Sequence, residues 1–144
     1  MRREFLVMIK QNEDSNPYPK PESAVEHNGI LMRSKGEKII AEVLDSLGYE
    51  YSYESRIWIG RFIYPDFSIY IPEIDKVIFV EFMGAVDKHD YSAGARRKFA
   101  DFTSYGFIPG RDVFFVCETE ESVADTDLFK LQLNAAILAN TEVL

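Results

Sequence analysis

Residues 61–84 read RFIYPDFSIYIPEIDKVIFVEFMG. Two apolar runs in this stretch carry one carboxylate each: Asp66, directly after Tyr64 and Pro65, and Glu81, after Val77, Ile78, Phe79 and Val80. Burying an ionised carboxylate without compensation is costly, and two neighbouring ones also repel. At the two-residue period of a strand, Phe62, Tyr64, Asp66, Ser68 and Tyr70 share one face, and Val77, Phe79, Glu81 and Met83 share one face of the next strand. If the two strands are neighbours, Asp66 and Glu81 meet, and a cation between them supplies the missing compensation. Magnesium suits such a pair, because it takes oxygen ligands, is often held by one or two carboxylates, and completes its octahedron with water and phosphate oxygens.

Working outward, Pro65 predicts an edge position or a bulge within a strand over 62–70, since proline cannot donate to the ladder. Residues 72–75 turn the chain, and 76–83 is apolar on both faces apart from Glu81, as in a central strand covered on both sides. Upstream, Tyr49, Tyr51, Tyr53, Ile57 and Ile59 alternate with polar residues, predicting a strand with one wet face, joined to the next by a two-residue hairpin at Gly60-Arg61. Ser34-Lys35-Gly36-Glu37 matches a capping box and precedes Ile39, Ile40, Val43, Leu44 and Leu47 at helical spacing, with Gly48 as the stop, so a helix is predicted over 35–47. The run 5–9 reads as a strand and 11–21, with three prolines, as loop. Downstream, a helix over 91–105 carries the stripe Tyr91, Ala95, Phe99 and Phe102. Residues 106–110 end it and 113–116 form a short strand. An acidic stretch over 118–127 holds five carboxylates and no basic residue. A last helix over 126–139 places Leu128, Leu131, Ala135 and Leu138 on one face. The expected fold is α/β, a small mixed sheet flanked by helices. One domain is expected over 1–144, with an N-terminal extension over 1–32, a core over 33–117, and an acidic linker and C-terminal helix over 118–144.

A net charge of −8 over 144 residues argues against holding nucleic acid by bulk electrostatics, so any such role must use local basic patches, a metal or a partner. The single Cys117 excludes an internal disulfide and a cysteine zinc site, and suits a reducing compartment. No signal-peptide pattern opens the chain, and no apolar run approaches the roughly 20 residues needed to span a bilayer. A cytoplasmic protein with no membrane association is expected.

The series Ser34-Lys35-Gly36-Glu37 on a first helix, Tyr64-Pro65-Asp66-Phe67 on a strand, Val80-Glu81-Phe82-Met83-Gly84 on the next, and then a helix bearing Tyr91 and Arg97-Lys98 resembles the PD-(D/E)XK nuclease superfamily. It is most similar to small bacterial and phage proteins of that group, in which a Glu-His-x-Gly-like segment replaces the usual Glu-x-Lys. The resemblance covers residues 33–117 and implies a restriction-endonuclease-like core in αβββαβ order. It implies a Mg²⁺-dependent (or Mn²⁺-dependent) nuclease acting on DNA phosphodiester bonds, with RNA not excluded. Asp66 and Glu81 would be metal ligands, the Phe82 backbone carbonyl a third, and Glu37 the first-helix acid.

The chain departs from this pattern where the superfamily lysine should stand: Met83 occupies it, and Phe82 stands in place of the variant's histidine. A thioether neither orients water nor neutralises an oxyanion. Lys98 is the best replacement, seven residues after Tyr91 and four before Phe102, on the inward stripe of its helix. Arg96 and Arg97 point away from that stripe and, with Lys35 and Lys88, are candidate phosphate contacts. Asp87, His89 and Asp90 decorate a loop near the site's mouth, with His89 a weaker candidate base. Each residue also has a purely structural reading: Glu37 as the capping-box acid, Asp66 as a carboxylate bonded to backbone amides, and Glu81 paired with Lys98 in an inactive module that binds nucleic acid or assembles with protein. A protein partner or homodimer would help a chain of this charge grip DNA.

Overall fold

The computed structural model describes residues 2–85 and 89–141 of the chain. The architecture is α/β, with four helices and a mixed four-stranded sheet accompanied by two small hairpins. The order is α1 (Arg3–Lys10), β1 (Val25–His27), β2 (Ile30–Met32), α2 (Lys35–Leu47), β3 (Tyr51–Tyr53), β4 (Ile57–Trp58), β5 (Phe62–Ile63), β6 (Phe67–Ile71), a 3₁₀ turn (Pro72–Ile74), β7 (Lys76–Met83), α3 (His89–Ser104), β8 (Val113–Cys117) and α4 (Thr126–Thr141). The main sheet runs β3-β6-β7-β8; β6 is antiparallel to both its neighbours, and β8 is parallel to β7. The β7-α3-β8 unit therefore supplies the helical crossover that a parallel pair requires.

Strand alternation divides the core. Phe67, Ile69, Ile78, Val80 and Val116 face α2 and α4, packing with Ile40, Leu44, Phe129 and Leu133. Val77, Phe79 and Val113 face the other way, against Leu6 and Ile9 of α1, Phe102 of α3 and Ile57 and Ile63 of the β4–β5 hairpin. With helices on both faces, β7 is buried almost throughout, as its apolar run predicts.

Local signals set α2. Ser34 Oγ accepts the amide of Glu37, and Gly48 takes the left-handed conformation that ends the helix. Elsewhere the fold corrects the sequence reading. Residues 5–9 are helical rather than extended: Leu6 and Ile9 lie three apart on one buried face, and α1 packs on β3, β6 and β7, giving part of the N-terminal extension a fixed place. The strand predicted over 49–59 is two strands, broken at Glu54, which adopts φ +44° and whose carboxylate is held by Arg33. The strand predicted over 62–70 is also broken, at Tyr64-Pro65-Asp66, where proline cannot extend the ladder, so Phe62 lies in a different sheet from Ser68. The hairpin turn holds three residues, because Trp58 pairs with Phe62 around Gly60 at φ +95°.

Helix α3 begins at His89, so His89 and Asp90 lie on it rather than in a loop, while Asp87 and Lys88 fall outside the described residues. Its stripe is narrower than predicted: Phe102 is buried but Phe99 is about half exposed. Helix α4 turns the opposite way from the prediction. Phe129, Leu133, Ala136 and Ile137 are buried against α2 and β8, while Leu131 and Leu138 are exposed.

Candidate functional site

The register Phe67↔Val80 and Ser68↔Phe79 continues to set Asp66 opposite Glu81, at the end of the sheet where β6 begins and β7 ends. Each residue fixes the other through the backbone. The Asp66 amide donates to Glu81 Oε2, and the Phe82 amide donates to Asp66 Oδ2 at 2.8 Å. Both carboxylates are buried, Asp66 at 7% and Glu81 at 4% exposure.

Lys98 reaches them from α3, one helical turn before the buried Phe102. Its Nζ donates to Asp66 Oδ2 at 3.0 Å and to the Phe82 carbonyl at 3.1 Å, and lies 3.7 Å from Glu81 Oε1. The ammonium thus contacts each of the three groups expected to ligate a metal. Its side chain keeps 38% exposure and lines the cavity. Met83, two residues after Glu81, is buried.

Glu37 comes from the first turn of α2 and is 6% exposed. It accepts a hydrogen bond from the Tyr53 hydroxyl, whose oxygen in turn accepts the Arg33 amide at 3.1 Å. Burial, joined by the charge of Asp66, pushes the Glu37 carboxyl up to about 8. Burial also drives Glu81 well above the usual carboxylate range, again with Asp66 adding repulsion. Burial alone would lower the Lys98 pKa, but the charges of Asp66 and Glu81 outweigh it and the net shift is upward. The site therefore holds more acid than its single lysine neutralises, and part of the acid retains protons near neutrality.

Glu37, Asp66, Glu81 and Lys98 line a cavity of about 840 Å³ whose rim includes Tyr18, Pro19, Arg33 and Tyr64. One part of this wall was missed in the sequence. Arg33 Nε donates to both carboxylate oxygens of buried Glu54, at 3.0 and 2.8 Å, and the two terminal nitrogens donate to the carbonyls of Pro19 at 2.9 Å and Tyr18 at 2.7 Å. That pair spans 21 residues, so only an acid ending the aromatic-rich 49–53 stretch hinted at it. Arg96, Arg97 and Lys35 are exposed. Lys88 lies outside the described residues.

The donor set suits a hard divalent cation. Two carboxylates and a backbone carbonyl converge, all oxygen, with Glu37 on the same cavity wall. Among the described residues no group of three or more acidic, histidine or cysteine side chains has the spacing of a complete metal cage. Mg²⁺ needs no such cage, since waters and substrate phosphates fill most of its positions. Among the described residues no helix is long and apolar enough to cross a membrane. Comparison with protein-family models, with curated proteins and with solved structures finds no match to this chain.

Proposed function

We propose that this chain is a Mg²⁺-dependent nuclease of the PD-(D/E)XK superfamily, with a restriction-endonuclease-like core, hydrolysing phosphodiester bonds in DNA. The observation that carries the proposal is the convergence of the Lys98 ammonium on Asp66, Glu81 and the Phe82 carbonyl. A lysine from α3 takes the role that Met83 cannot. Asp66, Glu81 and the Phe82 carbonyl would hold Mg²⁺ or Mn²⁺, with Glu37 completing the acidic wall. When bound, the ion supplies charge neutralisation at the scissile phosphate and lowers the pKa of a coordinated water. Lys98 places a fixed positive charge where a phosphate oxygen gains negative charge as water adds to phosphorus and the bond to the leaving oxygen breaks. Lys35, Arg96 and Arg97 position the backbone without reading sequence.

A second reading keeps the fold without turnover, as a binding or assembly module. It is favoured by the same ammonium, which already bonds Asp66 and approaches Glu81 within the fold. The exposed Leu131 and Leu138 of α4 are consistent with a protein partner or homodimer in either reading. The lone Cys117 accords with a cytoplasmic setting.

The deciding experiment incubates purified protein with linear, circular and single-stranded DNA, and RNA in parallel, with Mg²⁺ or Mn²⁺. Expected is metal-dependent DNA cleavage that falls at least about a hundredfold in Asp66→Ala and in Glu81→Ala. Cleavage that survives both substitutions removes the assignment. Absence of both cleavage and calorimetric metal binding selects the second reading.

A further inference from the structure

The β4–β5 hairpin presents aromatic rings where a solvent face ordinarily carries polar side chains. Ile57 pairs with Ile63 on its inner face and both are buried. Trp58 pairs with Phe62 on its outer face, at 65% and 52% exposure, their rings edge to face with centroids 4.9 Å apart. The Arg56 guanidinium lies 4.8 Å from the Phe62 ring centroid, and Arg61 lies 5.4 Å from that of Tyr105. From Arg56 to Pro65 there are two arginines and no acid, in a chain of net charge −8. The hairpin also adjoins the acidic site. Phe62, Tyr64 and Tyr105 line a cavity of about 240 Å³ together with Glu81 and Lys98, and Asp101 is the other acid on that wall. This cavity and the larger one share Asn16, Tyr64, Glu81 and Lys98.

We propose that this hairpin is a stacking platform for unpaired bases, so that the site takes single-stranded DNA, with Arg56 and Arg61 meeting the flanking phosphates. The inference rests on the nucleic-acid reading of the Asp66–Glu81 site and narrows its substrate class. Bases paired within a duplex keep their faces covered by stacking, whereas an unpaired strand offers faces that exposed aromatic and arginine planes engage with little sequence preference. The two arginines give the patch the charge complementarity that a neutral aromatic pair would lack.

Trp58 is the sole tryptophan of the chain, so its emission reports this hairpin alone. Wild-type protein in EDTA is titrated with oligo(dT) of about 20 nucleotides, longer than one such platform needs, following Trp58 emission and the anisotropy of a labelled strand together. Expected is saturable quenching that tracks the anisotropy, little quenching by the matching duplex, and single-strand binding weakened roughly tenfold or more in Phe62→Ala. Absence of oligo(dT) binding, a rise in anisotropy with unchanged Trp58 emission, equal quenching by duplex, or unchanged affinity in Phe62→Ala would each overturn the platform. Tighter binding of oligo(U) than of oligo(dT) would overturn its assignment to DNA. The two proposals fail separately: saturable quenching without cleavage in Mg²⁺ removes the hydrolysis and keeps the platform, while DNA cleavage with silent Trp58 removes the platform alone.

Discussion

Lys98 Nζ stands 3.0 Å from Asp66 Oδ2, although 32 residues separate them in the chain. The contact joins α3 to the start of β6 and places one positive charge among three buried acids, Glu37, Asp66 and Glu81. Removing that charge leaves the acids to repel, so Lys98→Met is expected to destabilise the protein by about 1–2 kcal/mol, less than a fully buried pair because the lysine is partly exposed. A divalent cation then substitutes for the ammonium. Mg²⁺ should raise the melting temperature of Lys98→Met more than that of wild type, while the proposed DNA cleavage falls at least about a hundredfold. Equal Mg²⁺ shifts in the two proteins would show that ammonium and metal do not share the acids.

The raised Glu37 pKa makes stability depend on pH with a definite sign. Between the ordinary value of 4.5 and about 8, the folded chain keeps a proton that the unfolded chain has released. Stability therefore falls as pH rises through that window and levels off above it. Glu81, shifted in the same direction, adds to the fall. Glu37→Gln removes the Glu37 part, so unfolding free energies of mutant and wild type should converge near about pH 5 and diverge in favour of the mutant by about pH 8, by on the order of 1–3 kcal/mol. Excess Mg²⁺ should shrink the difference, since a bound cation stabilises the ionised acid. Parallel melting curves across the window would contradict the buried, proton-holding state of Glu37.

Arg33 and Glu54 form the other charged element of the cavity wall, with side-chain exposures of 18% and 2%. Arg33→Ala strands a buried carboxylate and frees the carbonyls of Tyr18 and Pro19, so a loss of about 3 kcal/mol is expected in urea denaturation. Cleavage by a protease should also become faster within residues 15–21, which the guanidinium ties to the core. Arg33→Lys should recover little, because a single ammonium cannot replace three nitrogens that reach the Glu54 carboxylate and the two carbonyls from separate positions.

What the sequence displayed and what it concealed follow from the range of the interactions. Helix α2 and strand β7 were readable to the residue because a capping box and an unbroken apolar run are local. Parity put Asp66 and Glu81 on faces that meet if their strands are neighbours, and the β6–β7 register, not parity, sets them opposite, although the strand carrying Asp66 is shorter than expected. The break at Glu54 was hidden, since the force that bends the chain there is an arginine 21 residues away. Helix α4 contains two stripes that both satisfy helical spacing, Leu128-Leu131-Ala135-Leu138 and Phe129-Leu133-Ala136-Ile137. Only the packing of α2 and β8 selects the second. Residues 5–9 were too short an apolar run to separate strand from helix by period. Lys98 was found because its spacing to Phe102 is local to α3. Trp58 and Phe62 were not singled out, because nothing local states that the outer face of their hairpin is uncovered.

Gly36 tests how tightly the site is framed. A Cβ added there would lie 2.2, 2.4 and 2.8 Å from atoms of the Phe82 ring, and one added at Gly84 would lie 3.2 Å from the same ring. Phe129 packs on it as well, with centroids 5.9 Å apart, so the ring has little room to retreat. Helix propensity favours alanine over glycine by about 1 kcal/mol in a helix interior, less in the first turn where Gly36 sits. Overpacking costs about 1–3 kcal/mol, so the steric effect wins and Gly36→Ala should be destabilising. Displacing Phe82 also disturbs the carbonyl that Lys98 bonds, so the proposed cleavage should fall along with stability. Phe82→Leu removes the obstructing ring edge. In a double-mutant cycle the Gly36→Ala/Phe82→Leu protein should be more stable than the sum of the single effects predicts, by about 1 kcal/mol or more. Strict additivity would mean that the ring swings clear of Gly36 at no cost and that the first turn of α2 does not hold the end of β7 in place.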